Sequence, residues 1–270
     1  MKKIQFICVN FNNFEYTKKF CDSLLLQIGI QSSFSIGCVV VDNSCIEKDS
    51  SDLLSFCKIH NWIKYIKAPT NLGYFGGLNL GLASAEAESF DYVVIGNNDL
   101  EFDVNFCLCL SKKMYKTKIF SVCPDVVTVD GIHQNPHSLN PIGCIRRFQF
   151  DLYFSHYYVA RLMSAILSFV RPVKKSKGQP FAECQLHLGI GAVYVLTPEF
   201  SRKFKTLNFP HFLYGEEAYF SEQIRSAGGI VWFDPDLKVK HAESASLSKV
   251  PKRTAYEFAR SGYPSYRKFL

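Results

Sequence analysis

The chain has 270 residues, with 31 Lys and Arg against 24 Asp and Glu for a formal net charge of +7; 47% are hydrophobic, 15% aromatic and 20% charged. That length suits one large domain or two small ones, and the balance excludes an intrinsically disordered chain. Among ten cysteines there is no CxxC pair, only Cys107 and Cys109 two apart, which argues against both a zinc site and a disulfide framework. Met1-Lys2-Lys3-Ile4 leads straight into a short apolar run and polar Asn10 to Asn13, so no signal peptide is expected and the thiols suit a reducing cytoplasm.

Short apolar runs alternate with helical patterns over the first hundred residues, the signature of βαβ units and a mainly parallel sheet. Ile4 to Val9 reads as a buried strand. Tyr16, Phe20 and Leu24 then recur every four residues on a helix. Cys38 to Val41 is a second strand ending in the turn-forming Asp42-Asn43-Ser44; Leu53, Leu54 and Cys57 mark a second helix and Ile63 to Ile66 a third strand. Asn71-Leu72-Gly73-Tyr74-Phe75-Gly76-Gly77 is glycine-rich enough to predict a loop that approaches something closely, with a helix resuming over Leu78 to Ala87. Tyr92 to Ile95 is a fourth strand, followed by Gly96-Asn97-Asn98-Asp99-Leu100-Glu101-Phe102. Ligands of open α/β sheets bind outside the carboxyl ends of the strands, so these polar strand ends nominate one crevice.

The second half is less regular. Residues 124 to 150 read as an ordered loop region, Leu188 to Leu196 as a strand, Glu217 to Ala227 as a helix, and Ile230 to Phe233 with Leu237 to Lys240 as two short strands. Cations gather in two groups: Arg146, Arg147, Arg171, Lys174, Lys175 and Lys177, then Lys249, Lys252, Arg253, Arg260, Arg267 and Lys268. Each group fits an anionic partner or plain solubility equally well. Tyr153 to Lys175 forms an amphipathic helix with a basic end, whose stripe of Arg161, Ser164, Ser168, Arg171 and Lys175 faces away from Leu162, Met163, Ile166, Leu167, Phe169 and Val170. Its uncharged run is about half the ~20 residues needed to span a bilayer, which predicts a helix lying on a membrane surface or packed on the domain.

Several of these segments are individually weak. Asn97-Asn98-Asp99 is also a polar turn, His241 also a structural hydrogen-bonder, Asp42 also the cap of an Asx turn, and the glycine run is neither a Walker loop nor a GxGxxG fingerprint. Taken in order, though, Asn10-Phe11-Asn12, Val39 to Ser44, Asn71 to Asn79, Gly96 to Asp99, Tyr214-Gly215-Glu216-Glu217 and a late strand ending at His241 resemble family 2 glycosyltransferases, most of all their bacterial rhamnosyltransferase-like branch. The resemblance runs over roughly residues 4 to 245.

It implies an α/β, single-domain A-type glycosyltransferase fold with a Rossmann-like, mainly parallel central sheet flanked by helices. Residues 1–102 would form a nucleotide-sugar-binding half, 103–248 an acceptor-binding and catalytic half, and 249–270 a basic tail. It also implies an inverting transfer from a nucleotide-diphosphate-sugar, dTDP- or UDP-linked, to a hydroxyl of a glycan or lipid-linked oligosaccharide in bacterial surface polysaccharide synthesis. Asn10, Asp42, Asn71, Gly73, Gly76, Gly77, Asn79, Asn97, Asn98 and Asp99 would hold the donor, Asp42 at its base or ribose. Asp99 and His241 would hold a divalent Mn or Mg against the diphosphate, Asn97 standing where the family has its first acid. Glu217 would be the catalytic base, with Glu216 able to take that role and both also suited to a helix amino terminus. Gly191 and Ala192 resemble the family's small residues near the acceptor. The tail, with Tyr256, Phe258, Tyr263 and Tyr266, would fold over the donor and offer Lys252, Arg253 or Arg260 to the diphosphate rather than bind nucleic acid. Such an enzyme would be cytoplasmic or peripheral at the inner membrane face. The competing expectations are a sugar-phosphate nucleotidyltransferase, although Asn10 to Asn13 lacks that class's arginine-bearing glycine loop, and a noncatalytic nucleotide- or glycan-binding protein.

Overall fold

The chain is described by a computed structural model over residues 1–28, 33–85, 89–170, 182–243 and 252–270. Arg171, Lys174, Lys175, Lys177, Lys249 and Ala87, with the side chains of Ser168 and Lys252, lie outside the described residues. The first half contains β1 (Lys2–Asn10), α1 (Phe14–Leu25), β2 (Phe34–Asp42), α2 (Glu47–Ile59), β3 (Ile63–Lys67), α3 (Gly73–Ser84), β4 (Tyr92–Asn97), β5 (Leu100–Phe102) and α4 (Phe106–Lys112). The second contains β6 (Ile119–Thr128), α5 (Cys144–Ser155), α6 (Tyr157–Val170), β7 (Cys184–Leu186), β8 (Val193–Leu196), α7 (Pro198–Lys203), α8 (Glu216–Ser226), β9 (Ile230–His241) and α9 (Lys252–Tyr266).

The nine strands form one sheet in the order β3-β2-β1-β4-β8-β6-β9-β5, with β7 also paired to β9. β1 to β4 run parallel, β8 runs against its neighbours β4 and β6, and β9 returns parallel to β6. The sheet is therefore mixed but mostly parallel, helices cover both faces, and the protein is a single α/β domain. Successive side chains of a strand point to opposite faces, and both faces are apolar here. Ile4, Phe6 and Cys8 pack with α1, α2 and α4, whereas Ile7 and Val9 pack with α3, α7 and α8. Phe6, Phe20, Phe102 and Phe106 form an aromatic cluster with ring centroids 4.8 to 6.4 Å apart. Each fully buried ring contributes about 1.5–3 kcal/mol by leaving water.

Several boundaries differ from the sequence expectation. The glycine run is helix, since α3 starts at Gly73. Its glycines are used inward: a Cβ at Gly77 would come within 2.8 Å of Val9 Cγ2, and one at Gly81 within 2.3 Å of Ile7 Cγ2. Close packing on β1 thus outweighs the helix cost of glycine, about 1 kcal/mol each. Residues 124–150 are not all loop, because β6 continues through Pro124 to Thr128, the proline sitting beside a register irregularity against β9, and α5 begins at Cys144. Ile230 to Lys240 is one irregular strand rather than two. Leu188 to Leu196 resolves into a turn and β8, the predicted helix from Tyr153 breaks at His156 between α5 and α6, and the basic tail is helix α9.

Asp42 lies wholly buried at the end of β2, accepting from the Tyr65 hydroxyl at 2.8 Å, the Lys67 ammonium at 3.0 Å and the Ser44 amide at 2.9 Å. Burial alone would raise its pKa, but hydrogen bonds from Ser44, Ser50 and Lys67 outweigh it and hold the group at about 2, below the ordinary 3.8. A carboxylate depressed on folding stabilises the native state above its unfolded pKa and loses that contribution as pH falls through the folded value. Asp42→Asn should therefore lower stability by about 1–3 kcal/mol at pH 7 and flatten the loss of stability on acidification below pH 4, both measured by urea unfolding across pH.

Candidate active site

Strand directions bring the predicted chemistry to one edge. β1, β2, β4, β6 and β9 all end there and antiparallel β8 begins there, so Asn10, Asp42, Asn97 and His241 sit on one rim with Gly191 and Ala192. β5 pairs with β9 so that Leu100 lies opposite His241, and the Ala242 amide donates to the Asp99 carbonyl at 3.0 Å. This register sets Asp99 beside His241. Above the rim opens a cavity of about 480 Å³ whose walls include Phe11, Tyr74, Phe212 and Phe258.

A chain of side chains fixes the state of His241. Gln134 donates its amide nitrogen to Glu243 Oε1 at 2.8 Å, and a carboxylate only accepts, so the Gln134 oxygen faces the other way. That oxygen lies 2.7 Å from His241 Nδ1, which must then carry the hydrogen. The lone pair of Nε2 is left pointing at Asp99 Oδ1, 3.3 Å away. Asp99 and His241 are both 7% exposed, and Asp99 Oδ1 is a buried oxygen without a hydrogen-bond donor. The pair is an ion pair only if the ring gains a second proton. Two lone pairs facing each other in a buried pocket fit a divalent cation, with a hard carboxylate and an imidazole as ligands. The Asn97 amide nitrogen lies 3.5 Å from Nε2 and fills the place of a further acid.

Across the cavity, α8 begins at Glu216 and Glu217. Its entry needs Gly215 at φ +100°, where a Cβ would strike the Tyr266 ring of α9 at 2.3 Å. Glu216 is 6% exposed; burial, with Glu217 adjacent, pushes its pKa well above the carboxylate range. Glu217 is half-buried and lies against Gly191, where a Cβ would come within 2.5 Å of Glu217 Oε1; Gly191's carbonyl accepts from the Tyr74 hydroxyl at 3.0 Å.

The sequence motif of glycosyl transferase family 2 matches residues 6–169 of the chain. The protein belongs to this family. Among solved structures it is similar to GalNAc-T7 with UDP, GalNAc and Mn2+ (13% identity, TM-score 0.64, covering 99% of this chain and 48% of that one). It is similar also to the mannosyltransferase PcManGT from Pyrobaculum calidifontis in complex with GDP-Man and Mn2+ (15%, 0.58, 98% and 63%). A third is S. aureus TarS 1–349 in complex with UDP-GlcNAc (12%, 0.57, 92% and 61%). These identities establish the A-type fold, and the chain spans about half to two thirds of each of those proteins. No curated protein matches the sequence.

Of the residues that the family resemblance nominates, Asn71, Gly73, Asn97, Asn98, Asp99, Glu216, Glu217 and His241 line the cavity, as do Gly191 and Ala192. Asn10, Asp42, Gly76, Gly77 and Asn79 do not. Asp42 is saturated by its neighbours beneath the rim, Gly76 and Gly77 turn toward Leu72 and Val9, and Asn79 is bonded both ways to the Leu207 backbone at 3.0 and 2.7 Å. Of the tail residues, Phe258 lines the cavity, whereas Arg253 sits over the Tyr157 ring and Arg260 binds the Phe154 carbonyl. Asn43, passed over in favour of Asp42, is a lining residue. Its amide donates to the Gly73 carbonyl at 2.9 Å, leaving a buried oxygen without a donor. Gln134 carried no sequence signal beyond its place in a polar loop.

Two other charged clusters already hold cationic partners. Glu183, Asp234 and Asp236 offer oxygens within 4.8 Å of one another, yet the Lys113 ammonium stands among them at 3.0, 2.9 and 2.7 Å. A cavity of about 540 Å³ between α5 and α9 is lined by pairs, Asp151 with Arg267 and Glu257 with Arg260.

Removing the group that sets the imidazole tautomer leaves the ligand atoms in place but not their orientation. Gln134→Leu should weaken Mn²⁺ binding by about 10–100-fold in calorimetry. It should also change the ¹⁵N shifts of His241 in the metal-free protein from the single Nδ1–H pattern to an averaged one.

Proposed function

We propose that the protein is a metal-dependent inverting glycosyltransferase that moves a sugar from a nucleotide-diphosphate-sugar to a hydroxyl of a glycan or lipid-linked oligosaccharide. One observation carries this reading. A single cavity is walled on one side by Asp99 and His241, with opposed lone pairs, and on the other by the adjacent acids Glu216 and Glu217 at the start of α8. Membership of glycosyl transferase family 2, and the nucleotides and sugar nucleotides held by the similar structures, support it.

No Lys or Arg is among the described residues lining the cavity, so its side chains alone do not offset the charge of a diphosphate. Asp99 and His241 would hold Mn²⁺ or Mg²⁺, which when bound counters the charge gathering on the departing nucleoside diphosphate. The Asn43 oxygen is free to accept the imide N–H of uracil or thymine, which suits a UDP- or dTDP-sugar. Glu217 takes the proton of the acceptor hydroxyl as that oxygen bonds to the anomeric carbon. The bond from that carbon to the diphosphate oxygen breaks on the opposite face, so the configuration inverts. We place the reaction in bacterial surface polysaccharide synthesis, with a hexose or deoxyhexose as the sugar.

The experiment is transfer from a panel of UDP- and dTDP-sugars with Mn²⁺, for wild type, Glu217→Gln and Glu216→Gln. Glu217→Gln should lower kcat on the order of 10²–10⁴-fold with donor affinity nearly unchanged. Transfer within a fewfold of wild type would remove Glu217 from the role. If Glu216→Gln alone carried the large loss, the assignments would exchange. Asp99→Ala should abolish the metal dependence of donor binding.

A further inference from the structure

The segment before α8 decides where Glu217 stands, and it does not hold itself. Residues 208–215 lie outside helices and strands, and among the described residues no backbone group of 209–214 bonds to another backbone group. The segment nevertheless ends in two residues of left-handed backbone, Tyr214 at φ +70° and Gly215 at φ +100°. Glycine adopts that conformation freely and tyrosine does not, so the turn persists only where its surroundings over-determine it. Its far side is the first turn of α8, since the Gly215 carbonyl accepts from the Ala218 and Tyr219 amides at 3.2 and 3.3 Å. A slip of this turn therefore carries Glu216 and Glu217 with it.

Helix α9 supplies the constraint. Phe258, Gly262 and Tyr266 recur every four residues and share one face of it. Each meets the segment in turn. The Phe258 and Phe212 ring centroids lie 5.5 Å apart, a Cβ on Gly262 would sit 3.5 Å from both the His211 ring and the Tyr214 carbonyl, and the Tyr266 ring presses on Gly215. Beside that row the Ser265 hydroxyl lies 2.6 Å from His211 Nε2. Ser265 gives its one hydrogen to the Gly262 carbonyl at 2.6 Å, so it accepts from His211, whose Nε2 carries the hydrogen. Phe209 and Tyr219 meet the His211 ring edge to face, with centroids 5.6 and 6.1 Å away. α5 holds α9 in turn: the Tyr263 hydroxyl donates to Asp151 at 2.6 Å, the Tyr256 hydroxyl donates to the Tyr153 carbonyl at 2.9 Å, and Phe154 stacks on Tyr263 with centroids 4.4 Å apart.

We infer that His211 and Ser265 are positioning residues for transfer: their hydrogen bond ties the Tyr214–Gly215 turn to α9 and so sets the Glu217 carboxyl at its distance from the acceptor hydroxyl. The inference rests on the reading of Glu217 as the base. Neither His211 nor Ser265 lines the cavity, so each acts through the turn and not on the substrate. Their loss should fall on kcat rather than on donor binding, because proton transfer needs hydrogen-bond distance and a misplacement of about 1 Å costs up to about 10²-fold.

Transfer kinetics and amide hydrogen exchange on the same full-length variants test it. Ser265→Ala, and His211→Phe, which keeps a ring beside Phe209 and Tyr219, should each lower kcat about 10–100-fold with donor KM and unfolding midpoint close to wild type. The double variant should be no worse than either, since the two residues act through one bond. Ser265→Thr, which returns the hydroxyl, should restore kcat to within a fewfold of wild type. In Ser265→Ala the Ala218 and Tyr219 amides should exchange about tenfold faster, with those of β1 unchanged. Wild-type kcat in both single variants, losses that multiply in the double variant, or unchanged exchange at Ala218 and Tyr219 would overturn the inference. So would a drop in donor affinity or unfolding midpoint large enough to account for the loss of kcat. Failure of the base assignment reads differently, because exchange needs no substrate: Glu217→Gln would transfer sugar normally while the Ala218 and Tyr219 amides still loosened in Ser265→Ala.

Discussion

The site hangs on one buried amide. Asn10, wholly excluded from solvent at the end of the first strand, donates to the Ser44 hydroxyl at 2.8 Å and Asp49 at 2.7 Å, and accepts from Thr17 at 2.8 Å and Asn98 at 3.2 Å. Those partners belong to the turn after β2, the second helix, the first helix and the turn after β4. A buried polar group costs about 1–3 kcal/mol when left without a partner. Bonding these four side chains to one amide ties the ends of β1, β2 and β4 into a fixed rim. Asn10 does not line the cavity, yet the lining residues Asn98 and Asp99 stand on what it holds.

From that rim follows a division of charge across the cavity. On the β9 side, geometry leaves two acceptors, Asp99 Oδ1 and His241 Nε2, aimed at each other without a proton between them. On the α8 side, burial of Glu216 favours its protonated form, with the half-buried carboxyl of Glu217 next to it. A nucleotide-sugar needs this asymmetry. Its diphosphate must be met by positive charge, and the hydroxyl that attacks its anomeric carbon by a carboxylate able to take a proton. With no lysine or arginine among the described lining residues, the ion proposed between Asp99 and His241 would supply the first requirement and the helix-start acid the second.

Much of the sheet was legible because parallel strands buried on both faces read as continuous apolar runs, and the strand-end polar clusters could be nothing but an edge. The glycine segment was misread for a physical reason. Gly77 and Gly81 do allow a close approach, but to the side chains of Val9 and Ile7, a tertiary partner that local propensity does not contain. Pro124 signalled a break and instead sits at an irregularity of β6, where the pairing with β9 shifts register. At the site, residue types and order pointed to Asp99, His241 and the acidic pair. What stayed hidden was which member of each polar pair faces the cavity: Asp42 is consumed by Tyr65, Lys67 and Ser44, and the adjacent Asn43 carries the unpartnered oxygen. Alternation along a strand end decides this, and a shift of one residue reverses it. Gln134, 107 residues from His241 in sequence, is visible only once β6 and β9 are paired.

The placement of the Glu217 side chain becomes intelligible at Gly191. A glutamate carboxylate on the first turn of α8 reaches one methylene farther than an aspartate, and the space it enters is the space a side chain at 191 would occupy, since a Cβ there would lie 2.5 Å from Oε1 and 2.9 Å from Cδ. The two residues are therefore coupled: the longer acid requires the bare backbone, and the bare backbone without the longer acid would leave a gap beside Tyr194 and Tyr74. The Tyr74 hydroxyl, by holding the Gly191 carbonyl, keeps that backbone from closing toward the acid. On the other side Tyr266 presses against Gly215, fixing where α8 starts. A base needs a set position more than it needs a short side chain, because proton transfer demands hydrogen-bond distance to the attacking hydroxyl. Two glycines and two tyrosines set the position of Glu217, as its proposed role as base requires.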